Sequence, residues 1–488
     1  MTRRRGVAVG IALLLAAGAC SSGGGSDGGS GTRDASTSSA GVSTNANGAG
    51  SCVKNEQGTG CLPVAPDGAR VDLGKPGFSD PGRISNPRFP IGELTQVPQL
   101  GHEAGESLRV EVTRLPGTKV LRWDGQKVGT VPSQFVAYRG GRIQEVAIDY
   151  YAQADDGSVW YFGEDVANYE NGVVADYKYR PENIPGLVFE QDTIRSTSET
   201  VDGPRGPVKG AALVQELLMD GTLEEKAFAP GYGEFRAKAE DELVTVALAV
   251  PVDTAGGSLP AGLSALAGAE VPKLLAKQLT STMGALTKAA AGRDPARVGQ
   301  ALRVEQAALD LQLRWRAPAE VDADRLDLWA RQLLLDAAAK NRGAVAGDAA
   351  TLRVIWDRAG HQAEPAAAEG VAAALAALGT AADGNDVKAA GAAVPSLRTS
   401  LAKLAPWRVL PIAAGRSSLV RCHDGGLGSR NGRREETPCS VSIRSPRCYW
   451  PRTWPRRGSS TTTGWGWRSS PRTTTRSCSS AAAAPTWT

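Results

Sequence analysis

The sequence predicts an α+β protein: an antiparallel β-rich domain, a sandwich or a half-barrel, followed by an α-helical bundle and preceded by a disordered tether. Three observations predict this class. Short alternating apolar–polar runs, separated by Asp-Gly, Asn-Gly and Gly-Gly turns, fill residues 106–252. Apolar residues recur every three or four positions over 258–405. Residues 21–50 have almost no apolar bulk and cannot bury enough surface to fold.

The first twenty residues have the order of an export signal. Arg3, Arg4 and Arg5 precede an apolar run over 7–17, and small residues lead into Cys20. The run is shorter than the roughly 20 apolar residues that a membrane span needs, so residues 1–19 are predicted to be a signal peptide. The small residues before Cys20 resemble the lipobox of bacterial lipoproteins, with Ala17 in place of the usual Leu. The resemblance implies a diacylglycerol on Cys20 and a location on the extracytoplasmic face of the cell membrane. An ordinary secretory peptide with a chance cysteine is the alternative.

Residues 20–50 are then a lipidated flexible tether, and residues 51–105 form a Pro- and Gly-rich irregular segment. Cys52 and Cys61 lie just past the tether with Gly and Asn between them, which suits a closed loop. Outside the cytoplasm such a pair is expected to form a disulfide, and two free thiols are the alternative.

The β domain, 106–252, is predicted from consecutive short strands. The runs are 108–113, 120–123, 134–138, 143–152, 159–163, a run after Gly172, and then 211–220, 223–229 and 244–250. Turn residues such as Asp124-Gly125 and Asp220-Gly221 punctuate them, which indicates hairpins of an antiparallel sheet.

One hairpin in this domain carries a resemblance. Residues 150–172 read YYAQADDGSVWYFGEDVANYENG, and residues 226–233 read KAFAPGYG. These motifs resemble a family of uncharacterised secreted proteins and lipoproteins of high-GC Gram-positive bacteria with a VWYFGED…YENG hairpin. The similarity covers about 140 residues, and the family has no assigned activity to imply here. Residues 173–178 run almost directly into Tyr179-Arg-Pro-Glu182, where relatives have a longer stretch containing Trp and Gly.

The same hairpin supplies the candidate ligand-binding residues: Trp160, Tyr161, Glu164, Asp165, Tyr169 and Glu170. Clustered carboxylates on loops are typical of Ca²⁺ sites, but the spacing is not that of an EF-hand, and no metal is expected. The alternative interpretations are that the acidic residues cap strand ends and that the aromatic residues fill a sheet core.

The helical bundle, 258–405, is predicted to hold five or six helices joined by short links. Asp294-Pro295 suits a helix start, and Asp322 is expected at the N-cap of the next helix. A Glu-x-x-His pair, the bundle motif for metals, does not occur, and the bundle is interpreted as an interaction or spacer module.

The tail, 416–488, differs abruptly in composition. It holds 13 of the 55 basic and 3 of the 51 acidic residues, and it has no Lys. A frameshift in a GC-rich gene or a disordered tail explains this composition, and an Arg- and Trp-rich arm for anionic partners is the alternative. The rest of the chain is mildly acidic, so no nucleic-acid partner is expected.

Catalytic signatures are scarce. Outside the Gly- and Ser-rich tether, the sequence has no G-x-S-x-G, H-E-x-x-H, Walker or dinucleotide motif, and its histidines are His102, His361 and His423. The favoured hypothesis is therefore a non-catalytic lipoprotein that binds a small molecule or an envelope protein, with no cofactor beyond the covalent lipid on Cys20. The alternatives are an envelope-polymer hydrolase using Glu164 and Asp165, and a structural spacer.

Overall fold

A computed structural model describes most of the chain between residues 52 and 404. The described ranges are 52–55, 60–70, 72–91, 96–203, 206–218, 221–239, 242–243, 273–292, 296–313 and 316–404. Several sequence predictions lie outside them: the signal peptide 1–19, Cys20, the tether 20–50, the strand 244–250, Asp294-Pro295 and the tail 416–488.

The first sheet is antiparallel and seven-stranded, with the order β1-β2-β4-β5-β6-β7 and with β3 paired to β4. Its strands are β1 Gln96–Glu103, β2 Glu106–Arg114, β3 Lys119–Trp123, β4 Gln126–Arg139, β5 Arg142–Gln153, β6 Val159–Glu170 and β7 Val173–Arg180. Consecutive strands pair because tight turns join them, as the Asp-Gly and Asn-Gly signals predict.

The second sheet is antiparallel and five-stranded, with the order β12-β11-β10-β9-β8. Its strands are β8 Glu190–Gly203, β9 Gly206–Leu218, β10 Leu223–Ala229, β11 Gly233–Ala239 and β12 Glu242–Leu243. The inner faces of the two sheets share apolar clusters; one of them joins Val131 and Tyr161 of the first sheet to Val214 and Phe228 of the second.

One boundary of the irregular segment 51–105 was wrong. Residues 96–103 form β1, which pairs along its whole length with β2. Pro98 hid this strand in the sequence, since proline cannot donate to a ladder. The structure accommodates Pro98 because β1 is an edge strand of its sheet.

The described residues 273–404 contain six α-helices. They are α1 Lys273–Ala291, α2 Arg297–Gln312, α3 Pro318–Ala338, α4 Arg342–Ala359, α5 Pro365–Asp383 and α6 Val387–Leu401. The predicted fold class, antiparallel β followed by helices, is confirmed. The N-cap prediction for Asp322 was wrong: α3 begins at Pro318 after the N-cap residue Ala317, and Asp322 is buried inside the helix, where it pairs with Arg325 and Arg358.

The helices pack on the outer face of the first sheet, the face turned away from the second sheet. One hydrophobic core contains Val136, Tyr138 and Ile143 of the sheet together with helical residues such as Leu326 and Ile355. The Tyr138 ring stacks on Trp329 of α3 with their centroids 5.6 Å apart. The first sheet is thus buried on both faces, and side chains of either parity along its central strands point into packed protein.

Helix α5 is long and apolar enough to span a membrane by length and composition alone, with a mean hydropathy of 1.3 over its best window. In the structure its residues Val371, Leu375 and Leu378 pack into the core shared with α4 and α6. A core helix passes the same test of length and composition.

Residues before β1 brace the edges of the sandwich. Cys52 and Cys61 form a disulfide with their Cα atoms 5.2 Å apart. The backbone then runs beside Val188, whose amide donates to the Pro63 carbonyl at 2.9 Å. Phe89 and Ile91 insert into the apolar cluster between the two sheets.

Candidate functional site: an acidic interior between two sheets

A polar row crosses the inner face of the first sheet. Strand register places Arg114, Ser133, Asp149, Glu164 and Arg180 opposite one another on β2, β4, β5, β6 and β7. Directly opposed residues of antiparallel strands point to the same face, with their Cβ atoms about 5 Å apart. Asp149 and Glu164 are therefore neighbouring carboxyl groups in the middle of the sheet.

A second polar row crosses the inner face of the second sheet. Asp192, Glu216 and Glu224 lie opposite one another on β8, β9 and β10. The Lys226 ammonium lies beside them, 2.7 Å from Glu216 Oε2 and 3.9 Å from Glu224 Oε2. Oxygen atoms of Glu190, Asp192 and Glu216 all lie within 4.8 Å of one another.

The two rows belong to one electrostatic environment. The charge of Lys226 acts on Asp149 of the opposite sheet, and the charge of Glu182, just after β7, acts on both Glu164 and Glu190. We call this region the acidic interior. Its carboxyl groups are those of Glu145, Asp149, Glu164, Glu182, Glu190, Asp192, Glu216, Glu224 and Glu234.

Several polar atoms of the acidic interior are buried without a hydrogen-bond partner. Both carboxylate oxygens of Glu145 and of Glu164 are in this state, as are Asp149 Oδ1, Tyr161 OH and Ser133 Oγ. Their residues are between 0% and 3% exposed. Glu164 has a cation nearby, since Arg180 Nη1 lies 3.7 Å from its Oε1. Buried polar groups are ordinarily paired, so a group of unpaired ones needs an explanation.

Burial raises the pKa of these carboxyl groups. The pKa of Asp149 rises to about 8 because burial penalises its charged form, and the nearby Lys226 only partly opposes the rise. Burial raises the pKa of Glu234 to about 8 in the same way. The pKa of Glu164 is raised well above its ordinary value by burial and by the charges of Glu182 and Asp149.

Lys226 behaves in the opposite sense. Burial by itself would lower its pKa, but the charges of Glu216, Glu234 and Glu224 raise the pKa well above its ordinary value. The charged ammonium form of Lys226 is therefore favoured, although the residue is only 1% exposed. The acidic interior thus already holds one alkylammonium group.

The acidic interior contains a cavity of about 60 Å³. Gln99, Ser133, Asp149 and Glu234 contribute polar atoms to its wall. The remaining lining is largely apolar and includes Phe89, Ile91, Val97, Val112, Phe135, Tyr151 and Tyr232. The volume is several times the 10–15 Å³ or so that one water needs by this measure, so a molecule of a few heavy atoms fits.

Of the candidate residues predicted from the sequence, Tyr161 and Glu164 lie in the acidic interior. They are three positions apart, a spacing that on a regular strand would place them on opposite faces. A β-bulge accounts for their shared face: Asp149 pairs with Glu164, whereas Tyr151 pairs with Tyr161. Gly163, inside the bulge, has a φ of 118°.

The other candidates lie elsewhere. Trp160 is 2% exposed in an aromatic cluster with Trp123, and its Nε1 donates to Ser158 Oγ at 2.8 Å. Tyr169 packs into the core under the helices, and Glu170 is exposed at the β6–β7 turn.

Asp165 points away from Glu164. Its Oδ2 accepts a hydrogen bond from Tyr150 OH at 2.5 Å and from Lys119 Nζ at 3.0 Å, on the outer side of the sheet. Because adjacent residues of a strand face opposite ways, Glu164 and Asp165 do not form a carboxylate pair. The carboxyl group opposite Glu164 is that of Asp149.

Most of the acidic interior was missed in the sequence. Glu145 and Asp149 stand in a strand that was predicted, but alternating polar residues ordinarily indicate a solvent-facing side. The covering second sheet makes that side an interior. A sequence signal was present: Lys226 stands two residues from Glu224 on a predicted strand, and same-face opposite charges at that spacing fit a paired, buried position.

A second buried polar cluster lies on the outer face of the first sheet, under the helices. Its three guanidinium groups and three carboxylates pair fully in charge: Arg109, Arg325 and Arg358 with Glu111, Asp310 and Asp322. The pKa of Glu111 is held well below its ordinary value by Arg109 and Arg358, in spite of its burial. This cluster joins sheet to helices and leaves no charge to be neutralised by a ligand.

Protein-family models, curated proteins and solved structures were each compared with this chain, and none of them matches it.

Proposed function

We propose that this chain is an exported, lipid-anchored binding protein whose β sandwich holds a small cationic ligand in its acidic interior. The observation that carries the proposal is the set of buried carboxylate oxygens without a hydrogen-bond partner on Glu145, Asp149 and Glu164. Moving an isolated ionised carboxylate out of water is very unfavourable, and each unpaired buried oxygen loses its hydration as well. A bound cation supplies the missing charge and the missing partners together.

The charge ratio supports this proposal. Among the described residues, Lys226 and Arg180 are the cations that act most strongly on six carboxyl groups of the acidic interior: Glu145, Asp149, Glu164, Glu190, Asp192 and Glu234. On the outer face of the same sheet, three carboxylates meet three guanidinium groups. This chain therefore neutralises buried charge with its own residues where the cluster joins sheet to helices. The uneven ratio inside the sandwich favours a ligand cation as the balance.

Cation binding is tested by thermal unfolding of the full-length chain in detergent at pH 8. The panel comprises Ca²⁺, Mg²⁺, Mn²⁺ and simple organic amines. A ligand present at 100 times its Kd stabilises the folded state by about 2.7 kcal/mol, so at least one cation is expected to raise the Tm by several degrees. If no cation raises the Tm, the proposed function is wrong.

Matched variants locate the effect. Asp149→Asn combined with Glu164→Gln removes two charges with little change of shape, and this variant is expected to lose the cation-induced rise in Tm. Glu170→Gln, which changes an exposed carboxylate at the β6–β7 turn, is expected to keep the full rise. Equal loss in both variants would indicate general surface screening.

The membrane location depends on Cys20, which the sequence predicts to carry the lipid. A fatty-acid analogue is expected to label the wild-type chain in cells and to leave Cys20→Ser unlabelled. In cell fractionation, the wild type is expected in the membrane fraction and Cys20→Ser in the soluble fraction, since one cysteine carries the anchor. Labelling of Cys20→Ser at the wild-type level would exclude the anchor.

A further inference from the structure

The cavity inside the sandwich has a wall of distinct chemistry. Four of its lining residues each have a buried polar atom without a hydrogen-bond partner: Gln99 Oε1, Ser133 Oγ, Asp149 Oδ1 and Glu234 Oε1. When the two carboxyl groups are ionised, all four atoms accept hydrogen bonds, and of the four only the serine hydroxyl also donates. The cavity therefore suits an occupant that donates hydrogen bonds.

The carboxamide of Gln99 is oriented by the protein itself. Its Nε2 donates to the backbone carbonyl of Glu234 at 2.9 Å, so its donor group is engaged. Its Oε1 is left as the free acceptor, and Gln99 is 1% exposed. Ser133 and Asp149 sit opposite each other on β4 and β5, so their oxygens belong to one small region of the wall.

The rest of the wall is mostly carbon. Phe89, Phe135 and Tyr232 contribute rings, and Val97 and Val112 contribute aliphatic groups. Arg114 is the basic residue of the lining, and it lies at the exposed end of β2. Such a wall suits a ligand that has an apolar body and one strongly donating, positively charged end.

We propose that the cavity binds a small primary alkylammonium ion, with its –NH₃⁺ group among Gln99, Ser133, Asp149 and Glu234 and its hydrocarbon part against Phe89 and Phe135. This inference rests on the proposed function and names the class of cation. An ammonium group has three donors and no acceptor, which matches a set of acceptors. Hydrogen bonds between charged groups and such acceptors are the strong ones.

A divalent metal ion fits this cavity less well. Ca²⁺ takes six to eight oxygen ligands, and Mg²⁺ retains several waters that must themselves be hydrogen-bonded. The apolar side chains that line most of the cavity offer those waters no hydrogen-bond partners. Lys226 provides a precedent for an alkylammonium ion. Its alkyl chain and ammonium are buried in the same interior, with Nζ 2.7 Å from Glu216 Oε2.

Calorimetric titration of the full-length chain in detergent at pH 8 tests this inference, with n-butylammonium chloride as the probe. 1-Butanol has the same length and shape without the charge, and CaCl₂ and MgCl₂ represent the divalent ions. The expected result is saturable binding of butylammonium and at least tenfold weaker binding of 1-butanol. Equal binding of the two would overturn the inference, because the site would then be merely hydrophobic.

The outcomes separate this inference from the proposed function. Binding of Ca²⁺ or Mg²⁺ with no binding of butylammonium would overturn the ligand class and leave cation binding standing. Binding of no cation at all would overturn both.

Two variants place butylammonium in the cavity. Ser133→Ala removes one acceptor with a minimal change of volume and is expected to weaken butylammonium binding about tenfold, the value of one hydrogen bond to a charged group. Asp149→Asn keeps the shape and removes the charge, so it is expected to weaken binding by a larger factor and to leave the fold intact.

Glu225→Gln is the matched control. Glu225 lies on β10 between Glu224 and Lys226 but faces the other way, where it pairs with Arg236 at 3.0 Å. The Glu225→Gln variant is expected to bind butylammonium with the affinity of the wild type. Unchanged affinity in Ser133→Ala and Asp149→Asn, or equal loss in Glu225→Gln, would place the ligand outside this cavity and overturn the inference.

Discussion

The carboxyl group of Asp149 shows how far the acidic interior departs from an ordinary protein surface. It is 3% exposed, it lies opposite Glu164, and burial raises its pKa to about 8. Near neutral pH such a group is mostly protonated in the folded, ligand-free protein. A cation that binds beside it must displace this proton, so binding of the ligand and release of protons are linked.

The ligand-free protein is therefore expected to lose stability as the pH rises from 5 to 8. Asp149 and Glu234 have ordinary pKa values of 3.8 and 4.5 when unfolded and about 8 when folded. Between these values the folded state binds more protons than the unfolded state, so the free energy of unfolding falls as pH increases. Urea unfolding at pH 5, 6.5 and 8 measures the slope.

Other titratable groups also change the free energy of unfolding with pH, and they determine which controls are needed. Burial lowers the pKa of His361, which opposes the trend as pH rises through about 6.5. The lowered pKa of Glu111 affects stability only below its ordinary value of 4.5, outside the tested range. Asp149→Asn is expected to flatten the slope between pH 5 and 8. A wild-type stability that rises across this range, or a slope unchanged in the variant, would contradict the argument.

At the scale of the elements, local signals predicted most strands and the packed face of most helices. Alternation over 108–113, 134–138 and 143–152 marked β2, β4 and β5, and the Asp124-Gly125 and Gly140-Gly141 turns marked the two ends of β4. The spacing of Val298, Leu302, Leu309 and Leu313 predicts one packed face in the α2 region; the three leucines are buried, whereas Val298 is 46% exposed. These features are local, so the sequence pattern carries them directly.

Strand β8 was not predicted, and the reason is physical. Glu190–Gly203 is rich in Ser, Thr and charged residues, and most of its side chains are exposed because it is an edge strand. Its structure comes from pairing with β9, a long-range interaction that no local pattern records. The acidic interior was not predicted for the same reason, since these polar residues are interior only because a second sheet covers them.

The bulge in β6 is the element-scale feature on which the site depends. Gly163 adopts a φ of 118°, and a Cβ there would overlap the carbonyl oxygen of Arg180. Gly163→Ala is expected to destabilise the protein by about 3 kcal/mol or more, through backbone strain and overlap with β7 together. It should also weaken cation binding, because the bulge gives Tyr161 and Glu164 a common face.

Gly157→Ala is the matched control for the bulge. Gly157 also has a positive φ, 89°, but a Cβ at this position meets no atom within 4 Å. The variant is expected to lose about 1 kcal/mol from strain alone and to bind cations normally. Urea unfolding of both variants gives the comparison, and equal losses would mean that the contact with β7 contributes nothing.

At the scale of the whole molecule, the first sheet separates two buried polar regions of opposite design. Its outer face carries a balanced cluster that joins it to the helices, and its inner face carries the acidic interior. Arg358 of α4 illustrates the balanced design: it donates to Asp322 at 2.8 and 2.7 Å and to Glu111 of β2 at 2.6 Å. One guanidinium thus ties two helices to the sheet.

Breaking the balance is expected to be strongly destabilising. Arg358→Met keeps much of the side-chain volume but leaves Asp322 and Glu111 with one cation fewer, and removing one partner of a buried ion pair typically costs about 3–5 kcal/mol.

Arg353→Met is the control on the same helix, because Arg353 pairs with Asp383 across 3.3 Å at an exposed position. An exposed pair contributes about 0–1 kcal/mol. Urea unfolding of both variants measures the difference. Since the cluster and the cavity lie on opposite faces of the first sheet, Arg358→Met is expected to bind butylammonium with wild-type affinity under conditions in which it remains folded. A loss of stability no larger than that of Arg353→Met would mean that the buried Arg358 contributes no more to stability than an exposed ion pair.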